Sequence, residues 1–171
     1  MILRFICTSI LLSCLAACGS PDTRSPENMV NELMAIWESG EADRLPELMS
    51  IDVVYDDIPN GSSLQGIDAS IGYVTHVHKW ASNIEITVHR SFGNETDAVA
   101  EWTMTAVQSN PIPGRVPVAT NKRIEIQGAT LIHVEDGKIV RAADYLDALG
   151  FVLQLGSEVA LPGDVLLKFP E

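Results

Sequence analysis

IHVEDGKIVRAADYL, residues Ile132–Leu146, holds two apolar-alternating runs joined by Glu135-Asp136-Gly137-Lys138. Asp-Gly between such runs signals a two-residue hairpin, because both turn residues must take positive φ. The first run extends back through Ile126 and Ile124. Further upstream, Ala98, Ala100, Trp102, Met104 and Ala106 alternate with Glu101, Thr103 and Thr105. Before them Ile84, Ile86, Val88 and Phe92 alternate with Glu85, Thr87, His89 and Ser91, and Gly93-Asn94-Glu95 turns the chain. A period of two repeated over consecutive hairpins predicts an antiparallel sheet with one covered and one wet face. A loop with three prolines, 110–120, interrupts the series.

The chain ahead of the strands is helical. Met29, Leu33, Ile36 and Trp37 form one stripe over Pro26–Ser39, with Ser25 as N-cap, proline at the first position and Gly40 as the stop. The pattern predicts a short helix over 42–49, a strand over 51–58, a loop at 60–63, a helix over 67–80 and a short amphipathic helix over 147–155. Residues 157–171 read as a tail. Helices followed by hairpin-linked strands predict an α+β domain over 26–156, a cone-shaped roll of helices on a curved, mostly antiparallel sheet enclosing a pocket.

The first residues carry one positive charge, Arg4, then an apolar run from Phe5 to Ala17 that is too short to span a bilayer. They read as a secretory signal, residues 1–17. Leu15-Ala16-Ala17-Cys18 resembles the lipobox of bacterial lipoproteins, which implies acylation of Cys18 and attachment to a lipid bilayer. The alternative is an ordinary signal with an incidental cysteine. Cys7 and Cys14 fall within the signal, so Cys18 would be the one cysteine of the mature chain and no internal disulfide could form. Residues 18–25, small and polar, read as a tether. Gly19 behind the cysteine resembles the outer-membrane sorting signal, which implies a cell-envelope domain anchored at the outer membrane and facing the periplasm.

The formal net charge is −12, and loss of Arg4 leaves 10 basic residues against 23 acidic ones, net −13. Such a balance excludes a nucleic-acid footprint and leaves the acyl chain, not a basic patch, to hold the membrane. No phosphate loop, Ser-His-Asp order or metal cluster appears, so no cofactor or metal is implied.

Two carboxylates stand out. Asp144 shares a strand face with Val140, Ala142 and Leu146, opposite Arg141 and Tyr145. A carboxylate on an apolar face must raise its pKa or find a partner, as general acids and bases do. Asp57 follows Tyr55 by two, so both point to one face of the first strand. The plainer readings are a structural carboxylate tied to Arg141 or a backbone amide for Asp144, and a turn former for Asp56 and Asp57. Trp102, Met104 and Trp80 suit a flat apolar ligand, or core packing. His76 and His78, two apart on a helix, point in different directions and make a poor metal pair; His76 faces Trp80 and reads as packing, and His133 as solvated.

Val54-Tyr55-Asp56-Asp57-Ile58-Pro59 with Gly66, Glu101-Trp102, and Ile132–Val140 running into Asp144-Tyr145-Leu146-Asp147 resemble the nuclear transport factor 2-like superfamily, within it the SnoaL-like polyketide cyclase and limonene-epoxide hydrolase group. The resemblance spans residues 26 to 156. It implies a catalytic aspartate at Asp144, a water-positioning pair at Tyr55 and Asp57, and the proton-shuttling aspartate of ketosteroid isomerases at Asp57. The Arg-x-Asp of the epoxide hydrolases is replaced by Trp102 and Met104, so epoxide opening is not expected. The isomerase tyrosine and second acid fall at Leu33 and Ala129. Two readings follow: a cofactor-free isomerase, cyclase or lyase on a small apolar carbonyl compound, with Asp144, Asp57 and Tyr55 as its catalytic set, or a non-catalytic module that binds a small ligand or a protein. The open sheet face suits a homodimer under either.

Overall fold

The computed structural model describes residues 24–169; Cys18, the signal and most of the tether lie outside them. The order is α1 (Pro26–Ser39), a 3₁₀ turn (Ala42–Arg44), α2 (Leu45–Leu48), β1 (Met49–Asp57), a 3₁₀ turn (Ile58–Asn60), β2 (Ser62–Gln65), α3 (Ile67–Trp80), β3 (Ala81–Gly93), β4 (Asp97–Gln108), β5 (Arg123–Glu135), β6 (Lys138–Leu146), α4 (Ala148–Gln154), β7 (Val159–Leu161) and β8 (Val165–Leu167). This is the expected α+β roll.

The local signals act as their chemistry dictates. Ser25 accepts from the Asn28 amide, Pro26 opens α1, and Gly40 closes it at φ 76°. Asp136 and Gly137 take φ 48° and 74°, making the tight turn that pairs Glu135 with Lys138.

Six strands form one sheet in the order β2-β1-β6-β5-β4-β3. Every pairing in it is antiparallel except β1 with β6, which run parallel. α1 lies across β3, β4 and β5, and α3 packs on β1, β2 and β3. Met29, Val30, Leu33, Met34, Ile36 and Trp37 are all buried, a stripe broader than α1 would need on a flat sheet. Each such side chain contributes about 1.5–3 kcal/mol on leaving water.

Several expectations need correction. Phe92 faces solvent at 62% exposed, because β3 carries an extra residue at His89 between the Val88–Trp102 and Arg90–Glu101 pairs. The bulge reverses the facing beyond it and turns Ser91 inward, where it bonds Asn31 and Glu27. A second bulge, at Val140, leaves Ile139 rather than Val140 on the covered face. Residues 42–49 split into a 3₁₀ turn, a single helical turn and the start of β1. The loop at 60–63 runs into β2, which pairs Ser62 with Asp57. Asp56 lies within β1, not in a turn, and pairs with Arg141 at 2.8 Å. The tail forms the β7–β8 hairpin.

Trp102 lies opposite Gly128 on β5. A Cβ at Gly128 would stand 2.5 Å from the indole and 2.7 Å from the Tyr145 carbonyl, so the missing side chain makes the room that Trp102 fills. Gly128→Ala is expected to destabilise the fold by about 1–3 kcal/mol in urea unfolding; an unchanged midpoint would show that the indole can move aside freely.

Candidate functional site

Asp144 (β6) and Asp57 (β1) are register partners on adjacent parallel strands. Such strands run about 4.8 Å apart, so the two acids sit side by side. Both line a cavity of about 300 Å³ between the covered face of the sheet and the helices. Trp37, Trp80, Trp102 and Phe151 supply its aromatic walls, and Met34 and Met104 fill between them. Exposed Ser62 and Arg115 mark where it meets solvent.

Asp144 is buried, and both its oxygens are engaged. Oδ2 accepts from the Tyr55 hydroxyl at 2.9 Å, and Oδ1 accepts from the Thr130 hydroxyl at 2.6 Å. Each hydroxyl is itself backed by an indole: Trp37 Nε1 donates to Tyr55 at 2.9 Å, and Trp102 Nε1 to Thr130 at 2.9 Å. An indole N–H can only donate, so it occupies a hydroxyl lone pair and leaves the hydroxyl proton for the carboxylate. Burial pushes the Asp144 carboxyl up to about 6; the Thr130 and Tyr55 bonds pull against that, and the charge of Asp57 adds to it.

Asp57 is held differently. Its Oδ2 accepts from Tyr73 at 2.8 Å and from Asn60 Nδ2 at 2.5 Å. Its Oδ1 is buried and has no partner among the described residues. An unsatisfied buried acceptor is costly, and a ligand that donates to it relieves the cost. Burial, then the nearby charges of Asp144 and Asp57, pushes the Tyr73 phenol far up, so it stays a donor. Trp37, Tyr55 and Tyr73 pack edge to face, with centroids 5.0–6.2 Å apart, and brace the two acids.

Residues 30–142 match the family model of the SnoaL-like domain. The chain belongs to the SnoaL-like domain family. No curated protein matches it in sequence. Among solved structures, IdmH of Streptomyces antibioticus, described as a candidate polyketide cyclase, superposes with TM-score 0.67 at 18% identity, over 78% of this chain and 100% of that one. TsrD of Streptomyces laurentii gives 0.65 at 22% identity, over 75% and 92%. A Catenulispora acidiphila protein of ketosteroid isomerase-like fold gives 0.63 at 20% identity, over 78% and 95%. At these identities the likeness is one of fold.

Within this SnoaL-like frame the expected residues are only partly brought together. Asp57, Asp144, Trp80, Trp102 and Met104 line the cavity. Tyr55 does not; it lies fully buried behind Asp144 and reaches the cavity only through it, so it positions rather than touches a ligand. Arg141 bonds Asp56, not Asp144. His76, expected to pack, lines the cavity, while His78 Nε2 meets the Trp37 carbonyl at 2.8 Å. Among the described residues no cluster of three His, Cys, Asp or Glu side chains is placed to hold a metal. Thr130, Trp37, Tyr73, Asn60 and Arg115 are site residues that sequence reasoning missed. Tyr73, Val77 and Trp80, at i, i+4 and i+7, give the one signal that was available: a second stripe on α3 beside Ile67, Ile71 and Val74.

Because folding raises the Asp144 carboxyl, the unfolded chain ionises first as pH rises. Its contribution to stability is full below the ordinary carboxylate range and is lost as pH climbs through about 6. Asp144→Asn escapes that loss. Between pH 4 and 7, urea unfolding of the variant should therefore gain on wild type by about 2–3 kcal/mol; parallel pH profiles would show that Asp144 is not raised.

Proposed function

We propose that this SnoaL-like protein performs cofactor-free acid–base chemistry, an isomerisation, cyclisation or elimination, on a small and largely apolar carbonyl compound. The observation that carries the reading is the acid pair: two neighbouring carboxylates in an apolar cavity, one raised by burial to about 6 and one with an open buried oxygen. Asp57 Oδ1 takes a proton from carbon next to the carbonyl. The charge developing on the carbonyl oxygen is met by the proton of Asp144, whose raised pKa keeps a protonated fraction available near neutrality. Return of the proton from Asp57 to a different carbon completes an isomerisation. Tyr55 and Thr130 orient Asp144 and limit its rise.

A non-catalytic, ligand-holding role is favoured by a different observation: both oxygens of Asp144 are already filled by protein hydroxyls, as in a structural carboxylate. Exchange of α-protons for deuterium in β-tetralone, followed by proton NMR in D₂O, separates the two. The wild type should accelerate exchange, and Asp57→Asn and Asp144→Asn should each lower the rate about 100-fold or more. A wild-type rate no greater than that of heat-denatured protein supports the ligand-holding role instead.

We further propose that the domain sits in the bacterial envelope, held to the bilayer by an acylated Cys18; the Leu15-Ala16-Ala17-Cys18 string supports this. In detergent phase partitioning the full-length protein should enter the detergent phase, and Cys18→Ala should move it to the aqueous phase. Equal partitioning of the two would count against the anchor.

A further inference from the structure

Arg115 stands where the cavity meets solvent, on a tight turn that the fold holds in place. Ile112 and Val116 exchange backbone hydrogen bonds at 2.8 and 2.9 Å, and the Arg115 amide donates to the Ile112 carbonyl at 3.0 Å. The buried Ile112 side chain pins the turn to the cavity wall. Among the described residues, the Arg115 guanidinium is the one Lys or Arg side chain in that wall. Nη1 donates to Asn60 Oδ1, and Asn60 in turn donates to Asp57, so the amide stands between the cation and the acid.

The environment makes this cation unusual. Of the arginines among the described residues, Arg24, Arg44, Arg90, Arg123 and Arg141 each have a carboxylate within 4.0 Å, and Arg115 has none. In a chain of net charge −12, an arginine without an acidic partner at the mouth of an apolar cavity is a charge left for something else. Nε and Nη2 carry no hydrogen bond to the described residues. They form the planar fork that matches a carboxylate.

We infer that Arg115 anchors an anionic head group, so that the ligand of the cavity is an amphipathic carboxylic acid with its apolar body between the tryptophans and its carboxylate at the mouth. A single guanidinium matches a single negative charge. A phosphate dianion would be left half compensated beside Asp57, with like charge repelling it. The inference rests on the proposed apolar carbonyl substrate and adds an acid group to it, which makes that substrate an oxo acid. Arg115 thereby fixes which end of the molecule enters first and presents the carbonyl end to Asp57 and Asp144.

The test uses 4-cyclohexylbutanoate and its methyl ester, titrated against the intact protein. Binding is read by the fluorescence of its three tryptophans, all of which line the cavity. The acid should bind wild type at least about fivefold more tightly than the ester, as a partly exposed ion pair allows. Arg115→Gln should abolish that preference and leave the ester's affinity within about twofold, while Arg115→Lys should retain part of it. Equal affinities in wild type, a preference that survives Arg115→Gln, or no binding of either probe would each overturn the inference. The outcome is separable from that of the proposed chemistry. An acid preference lost in Arg115→Gln, together with no β-tetralone exchange, leaves the anchor standing and removes the acid–base role. Exchange without acid preference does the reverse.

Discussion

The two hydroxyl bonds accepted by Asp144 tie the first helix to four strands of the sheet. Trp37 reaches in from α1, Tyr55 from β1, Trp102 from β4 and Thr130 from β5, and all converge on one carboxylate of β6. A buried charge without such partners would cost several kcal/mol, so the surrounding residues are constrained together rather than singly. Trp102 reaches Thr130 only because Gly128 leaves space beside it. Trp37 reaches Tyr55 only because α1 lies deep in the cone, with its broad apolar stripe wholly covered.

The same arrangement explains why the two acids differ. Asp144 is satisfied but poorly hydrated, so its proton affinity rises. Asp57 is satisfied on one oxygen by Tyr73 and Asn60 and bare on the other. Full engagement suits a group that must stay in place, and a bare oxygen suits one that must meet a ligand. The Tyr73 phenol cannot take the charge itself, because burial and the neighbouring carboxylates hold its proton on.

What was legible in the sequence was what local chemistry decides. Ser25, Pro26 and Gly40 bound α1, and Asp136-Gly137 set the β5–β6 register, because caps and tight turns depend on residues a few positions apart. The alternation through Ala98–Ala106 placed Trp102 and Met104 inward for the same reason. The bulges at His89 and Val140 were not legible, since an extra residue in a ladder is defined only by the partner strand. Phe92 was misplaced on that account. Thr130 looks like any β-branched strand residue, and nothing in its neighbours announces that an indole N–H will sit on it. Arg115 lies in a proline-rich loop with no period to read; its meaning comes from what surrounds it in space.

The parallel pairing of β1 with β6 also bears on the order in which the molecule can assemble. Tyr55 and Asp144 are 89 residues apart, and the strands that carry them lie second and third in the sheet. Hairpins β3–β4 and β5–β6 close over short distances and can form early, whereas β1 must wait for β6 before it has a neighbour on that side. The acid pair therefore comes into being late, with the closing of the longest loop in the sheet. Until then a trough built from β3 to β6 holds Asp144 without Asp57 or the Tyr55 hydroxyl, and closure of the cone and completion of its chemistry are one event.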